Sequence, residues 1–168
     1  RVLEAAEILR VRSEIMFLLV GGGAQSEAHK EQAKNMKLNN VRFISRQPKE
    51  IMERIWSLCD ASLIQLKNDP LFKSVIPSKI FESMGMGLPI IFSVPEGEAS
   101  QIILDTGAGV VIPPEQPVQL AATIRELEEK PGLLNKYSDK SAKAASHWSR
   151  DKQADRMAKV LESVVKRK

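Results

Sequence analysis

What this chain lacks narrows it first. Its 168 residues hold one cysteine, Cys59, which excludes an internal disulfide and any zinc cluster of ordinary spacing, and which fits a reducing compartment. Near a helix end, Cys59 reads as a small buried apolar side chain. Aromatics are sparse, with five Phe, two Trp and one Tyr, and none forms a stacking series. Lys and Arg number 25 against 21 Asp and Glu, a net charge of +4, and the signs alternate along the chain except at Lys166, Arg167 and Lys168. A nucleic-acid interface, which needs a clustered basic face with aromatic platforms, is excluded on that count. No apolar run approaches the ~18 residues that span a bilayer, and the N-terminus lacks the layout of a signal peptide. The expectation is a soluble domain that could still belong to a membrane-associated enzyme. The sequence has no P-loop, no Gly-x-Ser-x-Gly elbow and no carboxylate cluster of metal-site type. His29 and His147 have no acid or nucleophile at a useful spacing, and Asp139, Asp151 and Asp155 read as charges on helix surfaces.

What remains is a regular alternation of elements. The length suits one hydrophobic core. Arg1 to Arg12 reads as a helix with Val2, Ala5, Ala6 and Leu9 on one face and no capping residue ahead of it, so the natural protein is expected to continue upstream. Ile15 to Val20 is a continuous apolar run stopped by Gly21, Gly22 and Gly23, the pattern of a strand buried on both faces. Further strands are expected at 41–45, 61–66, 89–94 and 110–112. Helices are expected at 26–37, from Pro48 to Asp60, at about 78–86, through Ile103, after Pro117, at 132–146 and at 151–166. Pro48 suits the first position of its helix, where a missing N–H costs nothing. This succession predicts an α/β fold, a Rossmann-like doubly wound parallel sheet. Residues 1–150 form the body and 151–168 a separate final helix. Right-handed crossovers bring the loops after Val20, Ile44, Leu66 and Val94 to one ligand-binding edge.

Two segments at that edge can carry chemistry. Gly21, Gly22 and Gly23 let a phosphate or a partner domain approach the backbone closely. They are not the dinucleotide fingerprint, because Gln25 and Ser26 stand where a third glycine belongs; the plain alternative is a tight turn. In the segment from Ile76 to Pro89, Pro77 primes a helix whose first amides and positive dipole end suit a diphosphate. Glu82, one turn past Ser78, can share that edge and accept hydrogen bonds from paired ribose hydroxyls. Here the plain alternative is a capped helix with solvated Lys79 and Glu82.

Taken in order, Val20-Gly21-Gly22-Gly23, Asn40-Val41-Arg42-Phe43, Cys59-Asp60-Ala61, Pro77-Ser78-Lys79 through Pro89, and Gly107-Ala108-Gly109 resemble the donor domain of family-four retaining glycosyltransferases. That domain is the C-terminal half of a GT-B enzyme. The subgroup it looks most like has Pro-Ser-Lys ahead of the glutamate and builds bacterial or archaeal surface polysaccharides, often with acetamido sugars. The resemblance implies that Glu82 binds the nucleotide ribose, as the second glutamate of the family's Glu-x7-Glu motif. It implies that Pro77 and the amides of Ser78 and Lys79 face the diphosphate and sugar, and that the loop Ser45-Arg46-Gln47 grips the base. A nucleoside-diphosphate sugar is then the donor substrate, with no metal or other cofactor. The implied partners are an N-terminal domain of the same enzyme, met by the glycine loop and crossed by the final helix, and a membrane-associated lipid-linked acceptor. The implied location is cytoplasmic, peripheral to the membrane in the full-length enzyme.

The sequence departs from the family pattern in two places. Ser74 stands eight residues before Glu82, where the motif's first glutamate belongs; a serine can bond a sugar hydroxyl but holds no charge, unless Asp69 substitutes. The family's basic Arg and Lys pair belongs to a strand and loop upstream of Arg1. That strand lies centrally in the family's sheet, so an unpaired strand edge is expected. No residue of this stretch is assigned a catalytic role, and the isolated chain is expected to be inactive as a transferase. Two other readings stay open: a sugar-nucleotide 2-epimerase half-domain, which would carry His and acidic catalytic groups, and a non-catalytic nucleotide-binding module.

Overall fold

A computed structural model describes residues 1–165. Lys166, Arg167 and Lys168, with the end of the expected last helix, lie outside the described residues. Among the described residues five parallel strands alternate with eight α-helices: α1 Val2–Ile8, β1 Phe17–Val20, α2 Ser26–Asn35, β2 Val41–Ile44, α3 Lys49–Trp56, β3 Ser62–Gln65, α4 Lys79–Gly85, β4 Ile90–Ser93, α5 Glu98–Thr106, β5 Gly109–Ile112, α6 Pro117–Glu129, α7 Pro131–Ala145 and α8 Arg150–Val165. The α/β class and the parallel pairing are those expected from the alternation of elements.

Hydrogen bonding divides the strands into two groups, β1-β2 and β3-β4-β5. Phe17 stands opposite Val41, Ser62 opposite Ile90, and Ile90 opposite Gly109. Among the described residues β1, β2, β3 and β5 each pair on one side only, and β4 alone pairs on both, so the unpaired edge expected from the sequence is present on β1 and on β3 as well as at the outer strands. Helices on both faces make this one layered body. Ile91 and Ile112 join Phe17, Val41, Leu3, Leu9 and Leu120 in one core. Ile90 and Phe92, pointing the other way along the same strand, join Ile80, Met84 and Ile103 in the second. The period of two thus sends alternate side chains of β4 into different cores, and all four of its residues are buried. That is why the 89–94 run shows no polar alternation.

Several boundaries differ from the sequence expectation. α1 stops at Ile8 rather than Arg12; beyond its end, the Arg12 guanidinium is turned to Glu128 and Glu129 in the last turn of α6. Pro48 is the N-cap of α3, with extended backbone, and not its first helical residue. The loop after β3 contains a 3₁₀ turn, Pro70–Lys73, capped by Asp69 Oδ1, which accepts from the Leu71 amide at 2.9 Å.

Candidate functional site

The candidate site begins where α4 starts, on the loop that follows β3. Ile80 and Met84 anchor α4 in the core. Buried Ser83 ties it down, its Oγ lying 2.7 Å from both the Lys79 carbonyl and Ser62 Oγ. It donates to the carbonyl and accepts from Ser62. This fixes the helix against β3 and leaves Ser78, Lys79 and Glu82 exposed on the opposite side. The Ile80 amide is taken by the Pro77 carbonyl at 3.1 Å, and the Phe81 and Glu82 amides by the Ser78 carbonyl at 3.0 and 3.1 Å. Among the described residues, the amides of Ser78 and Lys79 donate to nothing. Ser78 is the N-cap but makes no side-chain cap. Its hydroxyl donates instead to Glu82 Oε1 at 3.1 Å, so the carboxylate folds back toward the helix start. α4 has only seven residues, so its dipole is modest and the two free amides are its main offering to an anion.

The other residues singled out by sequence fall into two groups around this point. Gly21 has φ 145°, a conformation that a side chain would strain, and its amide donates to the Ile44 carbonyl at 3.0 Å. That bond holds the glycine loop beside the 45–47 loop. A Cβ placed on Gly22 would lie 4.0 Å from Arg46 Cβ, so the glycine loop and Arg46 are neighbours. Gln47 Nε2 donates to the Ser45 carbonyl at 3.2 Å. No hydrogen bond among the described residues joins this group to Ser78–Glu82. Ser74 Oγ donates to the Leu71 carbonyl at 3.2 Å, and Asp69 caps the same 3₁₀ turn. Both therefore serve local structure first, although each keeps a free acceptor. His29, Asp139, Asp151 and Asp155 are exposed on their helices, and His147 is exposed in the turn between α7 and α8.

Sequence reasoning did not anticipate three features. Gly97 lies against the backbone of the 3₁₀ turn, where a Cβ would come within 2.2 Å of the Lys73 carbonyl oxygen; the glycine lets the loop after β4 brace the segment that carries Ser74. Phe81 stacks on Trp148, with ring centroids 5.4 Å apart. A cavity of about 320 Å³ opens between Trp56, Cys59, Asp60, Pro89 and Asn135, at the amino ends of β3 and β4 and so at the edge opposite the candidate site. Burial, and secondarily the Asp60 carboxylate, push the Cys59 thiol above its ordinary value, which argues against a reactive thiolate.

Comparison with known proteins decides the family. The profile of the family described as "Glycosyl transferases group 1" matches residues 1–146. The chain belongs to the glycosyl transferases group 1 family. It is 32% identical over 131 residues to the probable glycosyltransferase WbjE of Pseudomonas aeruginosa, an alignment covering 76% of this chain and 32% of WbjE. The chain thus spans about a third of that relative's length. The C-terminal domain of the group 1 protein LpcC from Francisella tularensis superposes with TM-score 0.70 at 18% identity, over 87% of this chain and 76% of that one. Anabaena HepE, solved in complex with UDP-glucose, gives TM-score 0.77 at 19% identity, over 96% of this chain and 44% of HepE. The fold of this group 1 chain is that of one half of a GT-B glycosyltransferase. Among the described residues no helix is long and apolar enough to cross a membrane.

Proposed function

We propose that this chain is the donor-binding half of a retaining group 1 glycosyltransferase of the Pro-Ser-Lys subgroup, which moves a sugar from a nucleoside diphosphate to a glycan or lipid-linked acceptor in surface-polysaccharide synthesis. The observation that carries the reading is the start of α4. There, two unpartnered amides and a carboxylate turned back toward them share one exposed edge. In this reading the Ser78 and Lys79 amides and the Lys79 ammonium bind the diphosphate, and Glu82 takes the ribose hydroxyls. The group formed by Gly21–Gly23, Arg46 and Gln47 receives the base, while Pro77 shapes the entry and Ser74 offers an oxygen to the sugar. Negative charge develops on the departing diphosphate, and fixed donors aimed at it lower the barrier without reorganising. That route uses no metal. HepE, bound to UDP-glucose, supports a nucleotide sugar as the ligand class.

The acceptor and the remaining charge-neutralising groups belong to a second domain, toward which α8 crosses from the body at residues 1–150. The 168-residue chain alone then binds donor without transferring it. A thermal-shift screen with uridine, guanosine and adenosine diphosphates tests the binding. One of them is expected to raise the melting temperature in proportion to ln(1 + [L]/Kd). No shift with any of the three, together with no heat in calorimetry, would remove the donor-binding reading. Transfer of labelled sugar by this chain alone would overturn the division of labour.

A further inference from the structure

Among residues 151–165 of α8 none is buried or belongs to either core, and only Gln153 is even half-buried. Met157, Val160, Leu161 and Val164 form an exposed apolar stripe along it. Its direction is therefore set at its first turns, and one side chain there touches both α8 and the body. Trp148, in the turn between α7 and α8, stacks on Phe81 of α4 with an interplanar angle of 29°. The guanidinium carbon of Arg156, on α8, lies 5.9 Å from the Trp148 ring centroid. Gln153 Nε2 closes the turn on the His147 carbonyl at 3.1 Å.

We infer that Trp148 is a positioning residue that couples the first turn of α4 to the direction of α8. Phe81 immediately precedes Glu82, on a helix of seven residues. Rotation of the Phe81 ring and its backbone displaces the free amides of Ser78 and Lys79 together with the Glu82 carboxylate. A nucleotide that orders this turn strengthens the ring pair, and by linkage a partner that holds α8 in place favours the nucleotide. The nucleotide half of this inference rests on the proposed function. The mechanical half does not.

Two measurements test it. In hydrogen exchange on the nucleotide-free chain, Trp148→Ala is expected to speed exchange in both the first turn of α8 and the amides of Phe81 and Glu82, by roughly three- to tenfold, the scale of one lost aromatic pair. Trp148→Phe is expected to restore most of the protection, and Phe81→Leu to reproduce the loss without touching the turn itself. Unchanged exchange in α4 in a folded Trp148→Ala or Phe81→Leu chain overturns the coupling. In the second measurement, Trp56→Phe leaves Trp148 as the sole indole. Its emission is then expected to change on titration with whichever of uridine, guanosine or adenosine diphosphate gives calorimetric binding, with the same midpoint. Binding without any change in emission overturns the nucleotide half. If none of the three binds, the donor-binding reading falls together with the nucleotide half, and the exchange data still decide the mechanical half.

Discussion

Replacing Glu82 with alanine gives the most direct test of the site. The carboxylate is exposed, so it is already hydrated and its removal leaves no buried charge behind. What is lost is the set of charge-assisted bonds to two neighbouring ribose hydroxyls, at about 1.5–3 kcal/mol for a bond to a charged group. Against this stands the Ser78 hydroxyl, held at 3.1 Å in the free chain, which must be released at a cost of about 0.5–1.5 kcal/mol. Water competes for the same oxygens. The net loss in nucleotide affinity is ~1–3 kcal/mol, or roughly 5- to 150-fold in Kd. Because Glu82 reaches no core residue, folding stability should move by no more than about 0.5 kcal/mol. Titration calorimetry with the best of the three nucleoside diphosphates, run beside thermal melts of both forms, separates the two effects. Equal affinity for wild type and Glu82→Ala would remove Glu82 from the site, and a large fall in melting temperature would mean that its role is structural.

Other predictions follow from the packing. Gly97→Ala forces a methyl against the Lys73 carbonyl oxygen and should cost about 1–3 kcal/mol, read as a melting temperature lowered by about 2–4 °C per kcal/mol; an unchanged melt would refute the close approach. Ser83→Ala removes the bond to the Lys79 carbonyl and leaves Ser62 Oγ without its partner, for a loss of ~1–2 kcal/mol by denaturant titration. Cys59, with its thiol raised by burial and then by Asp60, should react with iodoacetamide more slowly than a free cysteine at pH 8. Its raised value means that the folded chain holds the proton as pH climbs, so stability falls as pH rises past the free-thiol range. A rate matching that of free cysteine would contradict the burial.

Much of the fold was legible because local patterns and burial agree. Pro89 to Val94 reads as a buried strand because each face of β4 meets a different core. Gly87 and Gly107 mark turns because both sit at positive φ. The 3₁₀ turn was missed although Asp69 followed by Pro70 is a helix-start signal in itself; four residues are too few to show a period. The ion pairs of Arg12 with Glu128 and Glu129 join residues more than a hundred positions apart. The contact of Phe81 with Trp148 likewise joins distant segments, and no spacing rule reaches that far. At the site, the sequence pointed to Ser78, Lys79 and Glu82, and the family resemblance to the amides of Ser78 and Lys79, but not to how the following amides are occupied. That depends on the Pro77 and Ser78 carbonyls each closing a short turn.

The division of the strands makes the binding edge uneven in stiffness. β4 is locked between two helical layers, and β3, with α4 beyond it, shares that firmness through Ile64, Ile80 and Met84. β1 and β2 hold only each other by backbone bonds and enter a single core; three of the four residues of β1 are only half-buried. Regions with fewer buried contacts open at lower free energy. The loops after β1 and β2 therefore yield more readily than the start of α4, and under the proposed binding mode a nucleotide would be gripped first at its phosphates and last at its base.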